Sequence, residues 1–223
     1  MRRVLASLCN TGRRLGRDTS GLALLEFAFG LPILLAMSLT GAELTNFIIT
    51  KTRISQIALH LADNAARIGS GTQLQAKTIS EADINDLLTG ANLQSGELAL
   101  LTNGRVIITS LEPVANPNTT ARYKIRWQRC KGDKTSWTSS WGTVANSSNI
   151  AGMGPAGRQA VAPDNGATMF VEVRYQYIPL VKSSLSPTTE INEIASMMVR
   201  DRRDLTGGSN GVYPVTGVTA STC

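Results

Sequence analysis

Residues 22–44 read LALLEFAFGLPILLAMSLTGAEL, and the reading of this run decides the architecture of the chain. It holds about 23 residues with Glu26 and Glu43 as its only charges, and as a helix it spans roughly 30 Å, enough to cross a bilayer. Five arginines precede it (Arg2, Arg3, Arg13, Arg14, Arg17) against one acid, Asp18, while only Lys51 and Arg53 follow closely. That asymmetry predicts an N-terminus in the cytoplasm and translocation of everything after the run. It also accounts for most of the formal charge of +6. A nucleic-acid binder concentrates its basic residues on a folded surface that meets phosphate, so nucleic acid is not expected as a partner. With 223 residues, the chain has room for one sizeable domain outside the membrane.

Two residues do not suit a plain anchor. Glu26 lies a few residues into the apolar run, where an acid costs about 2.5–3.5 kcal/mol at the helix centre and less near the interface. Pro32 lacks the amide proton that would bond the carbonyl of Ala28, and so predicts a kink.

Gly21 followed by Leu22-Ala23-Leu24-Leu25-Glu26-Phe27 resembles the prepilin-peptidase site of type IV pilins, where cleavage follows a glycine and a glutamate is the fifth residue after it. The continuation Ala28-Phe29-Gly30-Leu31-Pro32-Ile33-Leu34-Leu35 is similar to the TadE-like (tight adherence) minor pseudopilins. The specific motif covers Arg13 to Leu35, and beyond it the likeness is one of layout. Gly12, Gly16 and Gly30 lie nearby, but only Gly21 joins a basic flank to an apolar run with an acid at that offset.

The resemblance implies a basic cytoplasmic leader (residues 1–21), a transmembrane helix (22–44) and a cut between Gly21 and Leu22 by an aspartyl prepilin peptidase. Glu26 would then neutralise the new α-amine of a neighbouring subunit, with Phe27 and Pro32 part of the same assembly signal. It further implies a bacterial inner-membrane protein, single-pass, with a periplasmic C-terminal domain. Its partners would be membrane lipid, the peptidase, other pilin or pseudopilin subunits and the pilus assembly platform. A mature chain of about 200 residues fits a minor subunit better than a bulk filament subunit. The competing reading is an ordinary signal peptide cut near Thr40-Gly41-Ala42, giving a secreted protein; a mature start at Leu22 or at Glu43 separates the two.

After the membrane run, Leu44, Phe47, Ile48, Ile54, Ile57, Ala58, Leu61, Ala65 and Ile68 recur at helical spacing, with Asn46, Arg53, Gln56, His60, Asp63 and Arg67 on the other side. The helix is therefore expected to continue as an amphipathic extension over 45–70, ending at Gly69-Ser70-Gly71. A second helix should start at Ser80 as N-cap, with Asp83 closing a capping box and Ile84, Leu87 and Leu88 turned inward. Beyond Gly90 the period becomes two. Arg105–Leu111 follows the turn pair Asn103-Gly104; in Ala121–Arg129, Tyr123, Ile125 and Trp127 share a face; Met169–Ile178 alternates likewise. Each reads as a strand with one wet face. Glu190–Arg200 fits a helix or a strand, and a strand is favoured because Ile191, Ala195, Met197 and Val199 suit an antiparallel partner and because the resemblance implies a layout that ends in a strand. The expected class is α+β: a long N-terminal helix packed on an antiparallel sheet of about four strands, within a globular domain over 71–223.

Residues 131–167 form a Gly/Ser/Asn-rich insertion with Trp137 and Trp141, read either as a contact surface for a pilus component or sugar, or as packing over the sheet. Packing is favoured, since exposed tryptophan is costly. His60 has no nucleophile or metal partners in sequence, and Glu190 with Glu193 lack a ligand cluster, so all three read as surface groups. No catalytic motif, metal site or cofactor is expected, and an enzyme is the weakest class. If the leader is removed with Cys9, the mature chain keeps Cys130 and Cys223, which could bridge a loop of roughly 90 residues in an oxidising periplasm, remain free, or bridge between molecules.

Overall fold

The computed structural model describes residues 21–72, 74–180 and 190–223. The leader before Gly21, with Cys9, lies outside the described residues. The chain falls into two compact units, one of residues 1–46 and 180–186, the other of residues 47–179 and 187–223.

Helix α1, Leu22–Arg67, is one run of 46 residues, about 70 Å long, and it continues through Pro32. The hydroxyls of Thr40, Thr45 and Thr52 donate to the carbonyls of Ala36, Gly41 and Ile48, 2.7–2.9 Å away, so they are satisfied inside the helix. The helix ends where Gly69 takes φ +118°; a Cβ there would stand 2.7 Å from the carbonyl oxygen of Thr78.

In the larger unit the helix presents Ile54, Ile57, Ala58, Leu61, Ala62, Ala65 and Ala66, all buried, to the sheet. The four alanines let the backbones approach closely. The phase of this stripe differs from expectation at its start. Leu44 and Ile48 are about half exposed, whereas Glu43 and Thr50 are buried and Phe47 packs on the core. Within the larger unit, stepping back from Ile54 by four and then three residues gives 50 and 47, so the covered face there is set by packing and not by hydrophobicity alone.

Strand β1 (Ile79–Ser80) leads into α2 (Glu81–Ser95). The Ser80 hydroxyl accepts from the Asp83 amide and the Asp83 carboxylate accepts from the Ser80 amide, which completes the capping box. The helix runs past Gly90, later than expected. A 3₁₀ turn (Gly96–Leu98) and a short helix α3 (Leu100–Asn103) follow. Asn103-Gly104 is therefore not a hairpin turn. Gly104 opens β2 in extended backbone, and a Cβ on it would lie 2.3 Å from the Arg174 carbonyl oxygen across the sheet. Glycine is required there for close approach.

Strands β2 (Gly104–Pro113), β3 (Tyr123–Lys131), β4 (Thr168–Gln176) and β5 (Glu190–Met198) form one antiparallel sheet in the order β3-β2-β4-β5. The chain is α+β, as expected, and Glu190–Met198 is a strand. Ile191 is buried, and Ala195, Met197 and Val199 pack against the helix-side core. A parallel pair between β1 and β6 (Val212–Tyr213) ties the tail to the start of α2.

Two expectations about the faces fail. Ser110 pairs with Trp127 but Leu111 pairs with Ile125, so Arg126 is an extra residue in a bulge. The bulge sends Trp127 to the helix-side core while Tyr123 and Ile125 join the opposite face. Nor is that opposite face wet: every residue of β2 is buried. Leu111, Tyr123, Ile125, Met153, Ala162 and Phe170 form a second core, with Trp141 and Ile150 packed on it, and residues 132–167 supply its cover.

Candidate functional site

The expected processing and assembly residues lie at the start of α1. The Gly21 carbonyl accepts the first helical hydrogen bond, from the Leu25 amide at 3.1 Å, so the Gly21–Leu22 bond is the junction where helix begins. A Cβ at Gly21 would meet nothing within 4 Å. From Leu22 to Leu39, eleven large apolar side chains are exposed, Leu24 at 77%, Met37 at 72% and Phe29 at 71% among them. The helix is long and apolar enough to cross a membrane, and the apolar window within it is not buried by the rest of the protein. Glu26 is exposed in this band with no hydrogen bond or ion pair among the described residues, and Phe27 beside it is 65% exposed.

Cys130 and Cys223 are joined in a disulfide across a separation of 93 residues. The tail lies along the outer edge of β3: the Cys130 amide donates to the Ser221 carbonyl at 2.8 Å, and Asn85 of α2 bonds both Thr219 and Ser221. Further along that edge, Tyr123 exchanges two hydrogen bonds with Ile150 and the Ile125 amide donates to Ser147. The insertion and the tail thus cover one edge of the sheet.

Trp141 packs on the second core. Trp137, half-buried, lies 5.0 Å beneath the Arg174 guanidinium, which also donates to Glu190 and to the Thr138 carbonyl. The insertion is anchored at Glu172, fully buried at mid-sheet, which accepts from the Ser139 hydroxyl and from the Ser140 amide at 3.0 Å. Both tryptophans therefore pack over the sheet. Glu193 lies 3.8 Å from Lys51, so the two carboxylates read from sequence face different cations. His60 Nδ1 stands 2.8 Å from the Gln94 amide, which ties α1 to α2. Among the described residues no three His, Cys, Asp or Glu side chains group as metal ligands.

A charged cavity at the far end of the sheet had no signal in the sequence. Glu112 is at the end of β2, opposite Lys124 in register, and beside Arg126, whose Nε is 3.9 Å from Glu112 Oε2. Arg203 donates through Nη2 to the carbonyls of Ala65 and Ile68, capping the last turn of α1. These side chains, with Asp204, line a cavity of about 510 Å³. Burial pushes the Glu112 carboxyl up to about 7, against the opposing pull of Arg126 and Lys124, and burial lowers Arg203 to about 10. Asp204 is held down at about 2, first by the Tyr213 hydroxyl and then by the Thr206 and Gly207 amides. The bulge that brings Arg126 here, and the chain return that brings Arg203, leave no periodic trace.

No family model, curated protein or solved structure matches this chain.

Proposed function

We propose that the chain is a minor pilin-like subunit of a tight-adherence type pilus or of its assembly machinery, made with a cytoplasmic leader and held in the inner membrane by the first half of α1. Prepilin peptidase would cut between Gly21 and Leu22, and Glu26 would select neighbouring subunits by pairing with their new α-amines. The reading rests on one observation above all: the motif from Gly21 to Leu35 coincides with the start of a helix whose apolar surface this chain leaves uncovered. A carboxylate exposed in such a band favours a cation from outside the folded chain.

The open space at Gly21 makes the test clean. Gly21→Ala places a methyl where it meets nothing, so folding should be unaffected and any processing defect reflects recognition. N-terminal sequencing of membrane and sheared-filament fractions should find a start at Leu22 in the wild type and an intact leader in Gly21→Ala. Glu26→Ala should insert normally but be depleted from filaments. A mature start at Glu43 would establish the secreted protein instead. That cut would fall inside the unbroken helix, at a residue that is 4% exposed.

A further inference from the structure

The sheet has two edges, and the chain treats them differently. The β3 edge is bonded by the tail and the insertion, through Cys130 with Ser221, Ile125 with Ser147 and Tyr123 with Ile150. At the other edge stands β5, held to β4 by nine consecutive pairs without a bulge. The Val199 amide donates to the Ala167 carbonyl at 2.9 Å, so the odd-numbered residues of this ladder turn their backbone groups to β4. Asn192, Ile194, Ser196 and Met198 therefore turn theirs outward. None of the four makes a backbone bond on that side among the described residues, and all but Ile194 are exposed. The strand has neither proline nor lysine, two of the residues that commonly guard an open edge.

A cavity adjoins this edge. It holds about 310 Å³ beside Ile194 and Ser196, and Phe170, Ala160 and Pro155 give it apolar walls. Arg158 is the single charged residue that lines it, is exposed, and makes no ion pair among the described residues. Arg200, two residues past the end of β5, is likewise exposed and without an ion pair among the described residues. The acids of β5 lie in its first half and are already answered, Glu190 by Arg174 and Glu193 by Lys51. The charge left over at this edge is positive and sits toward its C-terminal end.

We propose that β5 is a docking edge for an extended segment of another protein, which adds as a fifth, antiparallel strand. It seats one apolar side chain in the cavity beside Ile194 and carries an acid for Arg158 and Arg200. Backbone bonds to the outward groups supply affinity, and the cavity and the two arginines supply selectivity. An antiparallel segment has its N-terminal side at Met198, so the acid precedes the apolar residue by two positions, on the same face. A second copy of β5 suits the edge less well. Two identical edges paired antiparallel are related by a two-fold axis normal to the sheet, which sets the sheet-packed parts of their α1 helices antiparallel. Chains anchored in one membrane through α1 cannot adopt that arrangement.

The probe is a fluorescein-labelled, end-blocked nonapeptide of threonine and valine with a glutamate two positions before a central leucine. The full chain in non-ionic detergent is titrated into it and binding is read by anisotropy. Saturation with a Kd on the order of 100 µM or tighter is expected. The leucine and glutamate amides face β5 in this register, so N-methylating both should weaken binding about tenfold or more, whereas N-methylating the residues on either side of the leucine should not. Ser196→Pro removes an outward amide where an edge strand tolerates proline, and should weaken binding as much with the urea midpoint unchanged. Should that variant fail to fold, the two N-methylated peptides still decide. Arg158→Glu with Arg200→Glu, both exposed, should weaken binding about tenfold, and a lysine in place of the peptide's glutamate should restore it. The proposal is overturned if the probe does not saturate, if the two N-methylated peptides bind alike, if the double arginine variant binds as wild type, or if sedimentation finds a dimer that Ser196→Pro dissociates.

Discussion

Replacing Cys223 by serine should cost the protein about 3–5 kcal/mol. The disulfide closes a separation of 93 residues that contains the insertion, β4 and β5, so the cross-link removes much of the freedom of the unfolded chain. For a loop of that size the chain-entropy relation gives about 4.7 kcal/mol, and measured losses on removing native disulfides run about 2–5 kcal/mol. The folded tail has other attachments. The Cys130 amide bonds the Ser221 carbonyl at 2.8 Å, Asn85 bonds the Thr219 carbonyl at 2.9 Å, and the Ser221 hydroxyl bonds Asn85 at 2.7 Å. At about 1 kcal/mol each these should keep the tail docked, which leaves the loss mainly in the unfolded state.

The assay is urea unfolding of the full chain in detergent, followed by tryptophan fluorescence, to which the buried Trp127 contributes. With a slope of about 2 kcal/mol per molar urea, the midpoint should fall by about 2 M. Cys130→Ser should give nearly the same midpoint, because it removes the same constraint. Both variants belong in a Cys9→Ser background, so that no new pairing takes over. Wild type in reductant should match them. A fall of less than about 0.5 M in both variants would refute the reasoning, since the cross-link would then not be limiting the unfolded ensemble.

Three further outcomes follow from buried groups. The Glu112 carboxyl, ordinarily near 4.5, is raised to about 7, so between these values the folded state holds a proton that the unfolded state has released; stability falls as pH rises through that window, by about 3 kcal/mol at full expression, and Glu112→Gln flattens the urea midpoint between about pH 5 and about pH 8. Glu172→Ala removes the acceptor for Ser139 and Ser140, and should cost about 1–3 kcal/mol and make the 137–142 segment the first site of limited proteolysis. Gly104→Val sets a Cβ 2.3 Å from the Arg174 carbonyl oxygen and 2.9 Å from that of Leu100, so β2 and β4 must part; a loss of about 3 kcal/mol, read from the urea midpoint, is expected.

What could be read from sequence was what repeats. The 3.6-residue period carried α1 to within a residue of its end, and the period of two located β2 through β4; Glu190–Met198 fitted either period, and the choice of a strand there leaned also on the layout that the family resemblance implies. Ser80 and Asp83 announced the start of α2 by their spacing alone. What failed were features that break the repeat or depend on distant chain. A bulge at Arg126 reverses the face of Trp127, and alternation cannot register an extra residue. Strands β2 and β4 looked half-wet because their second face is apolar only in part, with Thr109 and Glu172 among it. These polar groups are bonded by Gln128 and by Ser139–Ser140, partners 19 and 33 residues away. A composition rich in glycine and serine gave residues 132–167 the look of a loop, whereas their few apolar side chains close a core.

The exposed half of α1 poses an energetic question that the globular unit cannot answer. Eleven large apolar side chains between Leu22 and Leu39 are each exposed by 38% or more. At roughly 1 kcal/mol apiece for the part left in water, their hydration opposes the fold by on the order of 10 kcal/mol, as much as a whole domain is stable. The helix is long and apolar enough to cross a membrane, and lipid or other helices would each relieve that cost. The two differ in what they do to Glu26. In lipid alone its carboxylate remains a cost of up to about 3 kcal/mol, so Glu26→Gln should insert as well as wild type or better. Among packed helices that supply a cation, the same substitution should lower incorporation. A variant improved in the membrane and depleted from filaments would separate anchoring from assembly within one helix; equal behaviour in both fractions would leave Glu26 an incidental charge.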